Sequence, residues 1–464
     1  MKRIIWIGIG LFGLLLMLAA QDVDLQVKLT AGARPAIAIP DYNGSGRAAA
    51  LMGTFNSTVF ADVEASGLFK MVSKSMMPVK VPQQLSEFRE PAAPPPVRRG
   101  GRAPAAPTTG GGYWLQDWSG PPTNANYLAI GYAAEQNDVL VFYGWLLNVN
   151  RENPAASQIF GKRYFGSLDE NGARQAARQF AADIIQQFGG QSLLNSRIYF
   201  VSNRTGNKEI WAMDADGSNQ RQITRYNALS LQPAVSPEGD KIAFTSYAKG
   251  NPGIFVFTSE GRPLPFYNQR ASMNATPDFT PDGKQIVYSS TAAGRDPQIF
   301  IANVNGTDFR RISSVRAIEV EPKVNPKTGR DMVFVSGRSG PQQIYRMNMD
   351  GAAVERLTPG EGEASNPAWH PDGQMIAYAW TRGYATGNFN IFVMDVATRQ
   401  YLQLTHGAGR NENPSWAPDG RHIVFASTRS GRPQIWSMLA NGTQLRQLTT
   451  QGSNSTPVWG KSGL

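Results

Sequence analysis

The sequence predicts a mainly β protein: a six-bladed β-propeller preceded by a small α/β domain, with a strand from the C-terminal end closing the first blade. Three observations carry this. A phrase of about 45 residues recurs through the second half of the chain, and each copy holds four short strand signals. The first part of that phrase is out of phase with the rest, so the repeat lacks one strand at its start and has one to spare at its end. Gly (47) and Pro (31) are frequent among the 464 residues, beside 22 Phe, 15 Tyr and 10 Trp, which suits short strands and many turns better than long helices.

Composition narrows the chemistry before any motif is read. There is no cysteine, which excludes disulfides, thiolate metal sites, iron–sulfur clusters and cysteine nucleophiles. The three histidines, His370, His406 and His422, are too few for a multi-histidine metal centre. Their positions in the repeat are filled by other residue types in other copies, so they are expected to be spacers on turns. Lys and Arg exceed Asp and Glu by 45 to 35, a diffuse net charge of +10 that suits solubility or an anionic envelope surface and argues for no nucleic-acid partner.

Residues 1–20 read as a secretory signal peptide: Lys2-Arg3, then an uncharged stretch from Ile4 to Ala20, with small residues Ala19 and Ala20 at its end. Cleavage near Ala20 would leave an exported, soluble chain, with an uncleaved anchor as the alternative. Residues 21–32 form a mobile N-terminal strand in this reading. Val23, Leu25, Val27 and Leu29 alternate with Asp22, Asp24, Gln26 and Lys28, the pattern of a half-buried strand able to dock on its own protein or on a partner's sheet edge.

The α/β domain is expected over residues 33–190. Residues 33–40 read as a buried strand, and Ala48 to Ala65 as a helix with Leu51, Phe55, Val59 and Val63 on one face. Leu68–Val72, Val139–Leu147 and Gln158–Phe165 read as further strands, and Gly172–Phe188 as a second helix. The insertion at 91–112 is low-complexity, rich in Pro, Arg and Gly, and cannot build a packed core.

The propeller is expected over residues 191–464. Its phrase opens on Pro233, Pro277, Pro322, Pro367, Pro414 and Pro457, in steps of 44, 45, 45, 47 and 43, and most copies continue through a Pro-Asp-Gly or similar turn. Apolar strands follow at Ile198, Ile242, Ile286, Met332, Ile376 and Ile423, then at Ile210, Ile254, Ile299, Ile344, Ile391 and Ile435. Outer strands close most units, as at Gln403-Leu404-Thr405. A four-stranded sheet at this period is a propeller blade, stable only when packed between neighbours in a closed ring. The simplest closure uses Thr456 to Trp459 as the innermost strand of the first blade.

A signal peptide, an α/β segment and six units of the form Pro-x-Trp-x-Pro-Asp-Gly … Ile-Tyr/Trp-x-Met-Asp … Gln-Leu-Thr resemble the TolB family, periplasmic components of the Tol–Pal system. Arg34 to Pro40, Phe60 to Phe69 and the surroundings of Asp183-Ile184-Ile185 carry the resemblance into the N-terminal half. The insertion departs from the family pattern. The resemblance implies a monomeric adaptor without cofactor or catalytic residues, supporting outer-membrane integrity and invagination during cell division. It implies a Pal-like outer-membrane lipoprotein on the propeller face and a TolA-like inner-membrane protein at residues 22–29.

The residues themselves point the same way. No Gly-x-Ser-x-Gly elbow, phosphate loop or calcium loop is present. The connections that lead into the innermost strands vary while the strands repeat, as a grafted binding face would. Candidates there are Met273, Asn274, Ala275, Glu319, Glu321, Glu363, Asn366, Arg410, Asn411 and Glu412. The four glutamates would make the mouth acidic and attract a basic partner surface or a cation. The alternative is an exported propeller that binds or cleaves envelope glycan or peptide.

Overall fold

The structure, a computed structural model, describes residues 34–89, 112–151 and 154–462. The proposed signal peptide, residues 21–32 and nearly all of the 91–112 insertion lie outside the described residues. The chain divides into two compact units at residues 194 and 195.

The first unit is a mixed sheet with two helices. Ala36–Ala38 lies parallel to Lys70–Met71 on one side and to Tyr127–Gln136 on the other. Tyr127–Gln136, Val139–Asn148 and Gln158–Ser167 then run antiparallel. The helices Met52–Ala65 and Glu170–Gln187 pack against each other, and the second also packs on the sheet. Phe55, Phe142, Phe180 and Tyr42 meet in one aromatic cluster, with Phe55 and Phe142 centroids 4.2 Å apart. A second apolar cluster, with Leu128, Ile130, Leu147 and Trp118, is built from the strand residues that alternate with those of the first. The second helix starts where Asp169 caps it, accepting a hydrogen bond from the Gly172 amide at 2.8 Å.

Two features of this unit differ from the sequence reading. The first helix opens with a 3-10 turn, Gly46–Leu51, before the α-helix proper. The strand Tyr127–Gln136 was not expected. It sits centrally with both faces partly covered, so it shows a near-continuous apolar run instead of alternation. Its hairpin turn uses Asn137 and Asp138 at φ of 52° and 61°, the left-handed pair a two-residue turn demands.

The second unit is six four-stranded sheets. Each innermost strand touches the innermost strand of the blades on either side, and the circle closes. Blade 1 takes its innermost strand, Asn454–Lys461, from the far end of the repeat; it pairs antiparallel with Ser196–Thr205. The closure read from the sequence is therefore the one that forms. The other innermost strands are Ser230–Val235, Asn274–Phe279, Glu319–Val324, Ala364–Trp369 and Asn411–Trp416, for blades 2 to 6.

The leading proline of each repeat marks a bulge. In every blade the register of the innermost strand shifts around it. The residue before it, Gln232, Thr276, Glu321, Asn366, Asn413 or Thr456, takes φ between 42° and 55°. Side chains rarely adopt this region, and the proline has no N–H to give to a ladder.

Two of the three histidines, His370 and His422, do more than space turns. His370 Nε2 donates to the Gly420 carbonyl of the next blade at 2.9 Å, and its ring meets Trp416 edge-on at 4.6 Å. A Cβ on Gly420 would lie 2.6 Å from that nitrogen. Asn325 makes the equivalent link to the Gly373 carbonyl one blade earlier. His422 is buried against Asp419, with 2.6 Å between Nδ1 and Oδ2. Burial alone would raise the Asp419 carboxyl, but the His422 contact outweighs it and holds the group below its ordinary range.

Candidate partner-binding face of the propeller

One face of the propeller is built from two sets of segments. The first set connects each outer strand to the next innermost strand; the second is the turns between second and third strands. Backbone bonds join the two sets in every blade. The last residue of each connection accepts from the turn beside it: Leu229 from Tyr247, Met273 from Thr291, Ile318 from Gly337, Glu363 from Thr381, Arg410 from Thr428 and Ser453 from Asn203. These bonds span 2.9–3.2 Å. The varying connections therefore rest on a repeated frame.

The frame sorts the sequence-derived candidates by depth. Met273, Glu363 and Arg410 end their connections and lie on the face itself. Asn274, Glu319 and Asn411 are one residue deeper and buried. There they tie the innermost strand to the second: Ser290 Oγ donates to Asn274 at 2.6 Å and Ser427 Oγ to Asn411 at 2.8 Å. Ala275 and Glu412 come next. Glu321 and Asn366 stand at the bulge, half-buried.

At the bulges a chain of hydrogen bonds passes between blades. The Glu321 amide donates to Thr276 Oγ1 at 3.3 Å, the Asn366 amide to Glu321 Oε2 at 2.7 Å, and the Asn413 amide to Asn366 Oδ1 at 3.3 Å. The left-handed backbone turns each amide toward its neighbour, so the strain and the bonds share one cause. Burial pushes the Glu321 carboxyl above its ordinary range; the Asn366 bonds oppose this and Glu412 adds repulsion.

Three of the four glutamates that suggested an acidic mouth are taken up by neighbours, and Glu363 alone of the four has no side-chain partner of opposite or neutral polarity among the described residues. Glu319 has no exposed surface and is bound by Arg338 and Ser336. Glu321 is taken up by Asn366. Glu412 pairs with Arg410 at 2.5 Å. Among the described residues no group of three His, Cys, Asp or Glu side chains is arranged to hold a metal ion.

What the sequence reading missed is a set of braced arginines. Arg338 and Arg429 follow their second strands and Arg204 lies near the end of its own, each in a Ser-x-Arg pattern, and Arg382 follows in a Trp-Thr-Arg variant. Arg204 stacks 4.5 Å from the Trp211 ring and Arg429 5.0 Å from the Trp436 ring. Each puts Nε on the preceding serine at 2.9 Å and a terminal nitrogen on an asparagine oxygen, Asn454 or Asn411. In blade 4 the same arm meets Glu319, and in blade 5 Arg382 meets Glu361 at 2.7 Å.

Comparison with known proteins follows the repeat. A family profile described as the TolB beta propeller domain matches residues 187–385 and 359–464. A protein TolB homolog of Chlorobium luteolum is 36% identical over 250 residues, 54% of this chain and 45% of that protein. A Tol-Pal system protein TolB of Desulfosudis oleivorans is 38% identical over 86 residues, 18% of this chain and 19% of that protein. The matched stretch spans about half the length of the first of these relatives and less of the second. The crystal structure of TolB from Acinetobacter baumannii superposes with a TM-score of 0.73 at 22% identity, over 92% of this chain and 97% of that one, and so shares the fold. With the profile covering the whole ring of blades, the chain belongs to the TolB β-propeller family.

Proposed function

We propose that the chain is a non-enzymatic periplasmic adaptor of the Tol–Pal system. Its propeller face takes a Pal-like outer-membrane lipoprotein, and residues 22–29 pair with a TolA-like inner-membrane protein. The observation that carries the reading is the face just described: a rigid, repeated frame presenting connections that differ from blade to blade. Family membership and the relatives named as Tol-Pal system proteins support it. The alternation of residues 22–29 supports the second contact, although those residues lie outside the described ones. Docking or releasing so short a strand takes a differential affinity of about 1–3 kcal/mol. Among the described residues no helix is long and apolar enough to cross a membrane.

The test is a pull-down from an envelope extract with the chain starting at Asp22, beside one starting at Arg34. The longer form recovers a peptidoglycan-associated lipoprotein and an inner-membrane Tol protein, and the shorter form loses only the latter. Recovery of neither, with turnover of an envelope glycan or peptide, would replace the adaptor reading by an enzymatic one.

A further inference from the structure

On the propeller face, cations without an ion-pair partner among the described residues outnumber carboxylates without one, such as Asp296 and Glu363, and six of these cations lie on one part of the ring. Arg204, Arg225, Lys249, Arg270, Arg316 and Arg429 have no carboxylate within ion-pair distance among the described residues. All six belong to the connections and turns joined by the backbone frame. They come from blade 6 round through blades 1, 2 and 3 to the connection entering blade 4. Blades 4 and 5 differ, because there Arg338 and Arg382 are neutralised by Glu319 and Glu361. On the opposite face Arg197 and Arg221 are paired with Glu260 and Arg346 with Asp331, while Arg262, Lys284, Arg310 and Lys327 have no carboxylate within ion-pair distance among the described residues and alternate with those pairs.

Two of the six are held in place before any partner arrives. Arg204 and Arg429 are stacked on aromatic rings and tied to serines, with only neutral amide oxygens as terminal acceptors. Their partial burial is uncompensated, and it pulls both guanidinium groups below their ordinary range. A carboxylate brought to either one would find an oriented, partly desolvated donor. Beside the exposed cations stand exposed apolar side chains. Leu229 is 41% exposed and Tyr247 38%, joined by a backbone bond, and Ile318 is 44% exposed next to Arg316 and Ala317.

We infer that this face docks an acidic protein surface, with the partner's carboxylates set against blades 6 to 3 and its apolar residues against Leu229, Tyr247 and Ile318. A uniform polyanion fits less well. Glu363, which has no cation within ion-pair distance among the described residues, would repel it on the other part of the ring, and it has nothing to place on the apolar side chains. A folded protein with patterned charge satisfies both. The inference rests on the adaptor reading and reverses the basic partner that the glutamates alone had suggested.

The experiment measures binding of the chain to the soluble domain of the Pal-like lipoprotein of the same envelope, at about 50 and about 300 mM salt. The expected result is a Kd that rises about tenfold with salt. Joint replacement of Arg225→Ser, Lys249→Ser, Arg270→Ser and Arg316→Ser raises Kd by about tenfold or more, chiefly through slower association. Equal charge removal on the opposite face, by Arg262→Ser, Lys284→Ser, Arg310→Ser and Lys327→Ser, leaves Kd within about twofold. Thermal unfolding of both variants confirms that they fold. Binding that ignores salt and both variants overturns the inference and leaves the adaptor reading standing. Equal loss in the two variants also overturns it, because the effect would then be net charge. Polyphosphate binding as tightly as the lipoprotein domain overturns the choice of a patterned protein. No binding by the unaltered chain at low salt overturns the inference and the adaptor reading together.

Discussion

Trp459→Ala tests whether the ring is held shut by the strand that arrives from the far end of the repeat. Trp459 is 6% exposed. Its backbone N–H donates to Ser415 Oγ of blade 6 at 3.0 Å, and its indole Nε1 donates to Ser196 Oγ of blade 1 at 3.0 Å. One residue therefore bridges the two blades that meet at the closure. A buried tryptophan removes roughly 200 Å² from water, worth about 5 kcal/mol at about 25 cal/mol per Å². Large-to-small changes of this kind cost about 3–5 kcal/mol, and the indole hydrogen bond supplies about 1 kcal/mol of that. Stabilities of whole domains are only about 5–15 kcal/mol, so the loss is a large fraction. Urea melts followed by circular dichroism and tryptophan fluorescence measure it. Trp369→Ala is the internal control: Trp369 holds the equivalent place in blade 5, with its indole on the Lys323 carbonyl at 2.9 Å, and the expected loss is similar. Deleting residues after 453 removes the whole ladder to Ser196–Thr205 and the Asn454 side chain that Arg204 holds, and it abolishes the cooperative propeller transition. A cost below about 1 kcal/mol for Trp459→Ala, with Trp369→Ala costing several, would show that the ring is not closed at this seam. An unchanged midpoint in the deleted chain would refute the closure outright.

Other expectations follow from the same geometry. Asp169→Ala removes the cap on the Gly172 amide and costs about 1 kcal/mol in urea unfolding, and Asp169→Asn retains most of it. Glu321 has its folded pKa raised by burial, so its contribution to stability is present below the unfolded carboxylate pKa and is lost as pH rises through the folded value. Glu321→Gln therefore raises the unfolding midpoint at neutral pH, with a gain that vanishes toward pH ~4; a gain that grows on acidification would contradict this. Asp419 is the opposite case: its folded pKa is depressed, so its stabilisation is present above the unfolded carboxylate pKa and is lost as pH falls through the folded value. Asp419→Asn removes the carboxylate that meets the His422 ring and the Arg421 and His422 amides, costs about 1–3 kcal/mol near neutrality and flattens the acid limb of the stability profile.

The candidate site was legible in the sequence as a set of segments, and much less so as a set of roles. The connections entering the innermost strands were located because they vary against a fixed repeat. Glu319 looked like a charged mouth residue because it begins such a strand. It is buried because its position in the blade is the one where Asn274, Asn411 and Asn454 tie the innermost strand to the second, and Arg338 compensates it. Three of the four braced arginines had a signal, the serine two positions before, at Ser202, Ser336 and Ser427. It gains meaning only once the aromatic residues of the next strand are known to lie beneath. The strand Tyr127–Gln136 carried no alternation because it is central in its sheet, and an apolar run alone does not choose between strand and helix.

The sequence by itself determined the fold class, the number of blades and the closing strand. Those follow from the period and phase of a repeat, which are properties of the chain read in order. It determined the two helices and four of the strands in the N-terminal unit through their apolar spacing. Only the tertiary structure decided which charges remain available to a partner. Availability depends on what each side chain meets across blades, and those neighbours are tens to hundreds of residues away: Glu321 meets Asn366, Arg204 meets Asn454, and the amide of Trp459 meets Ser415. The net charge of +10 was countable from the start; that six of the cations without an ion-pair partner come together on one stretch of one face follows from how the ring closes.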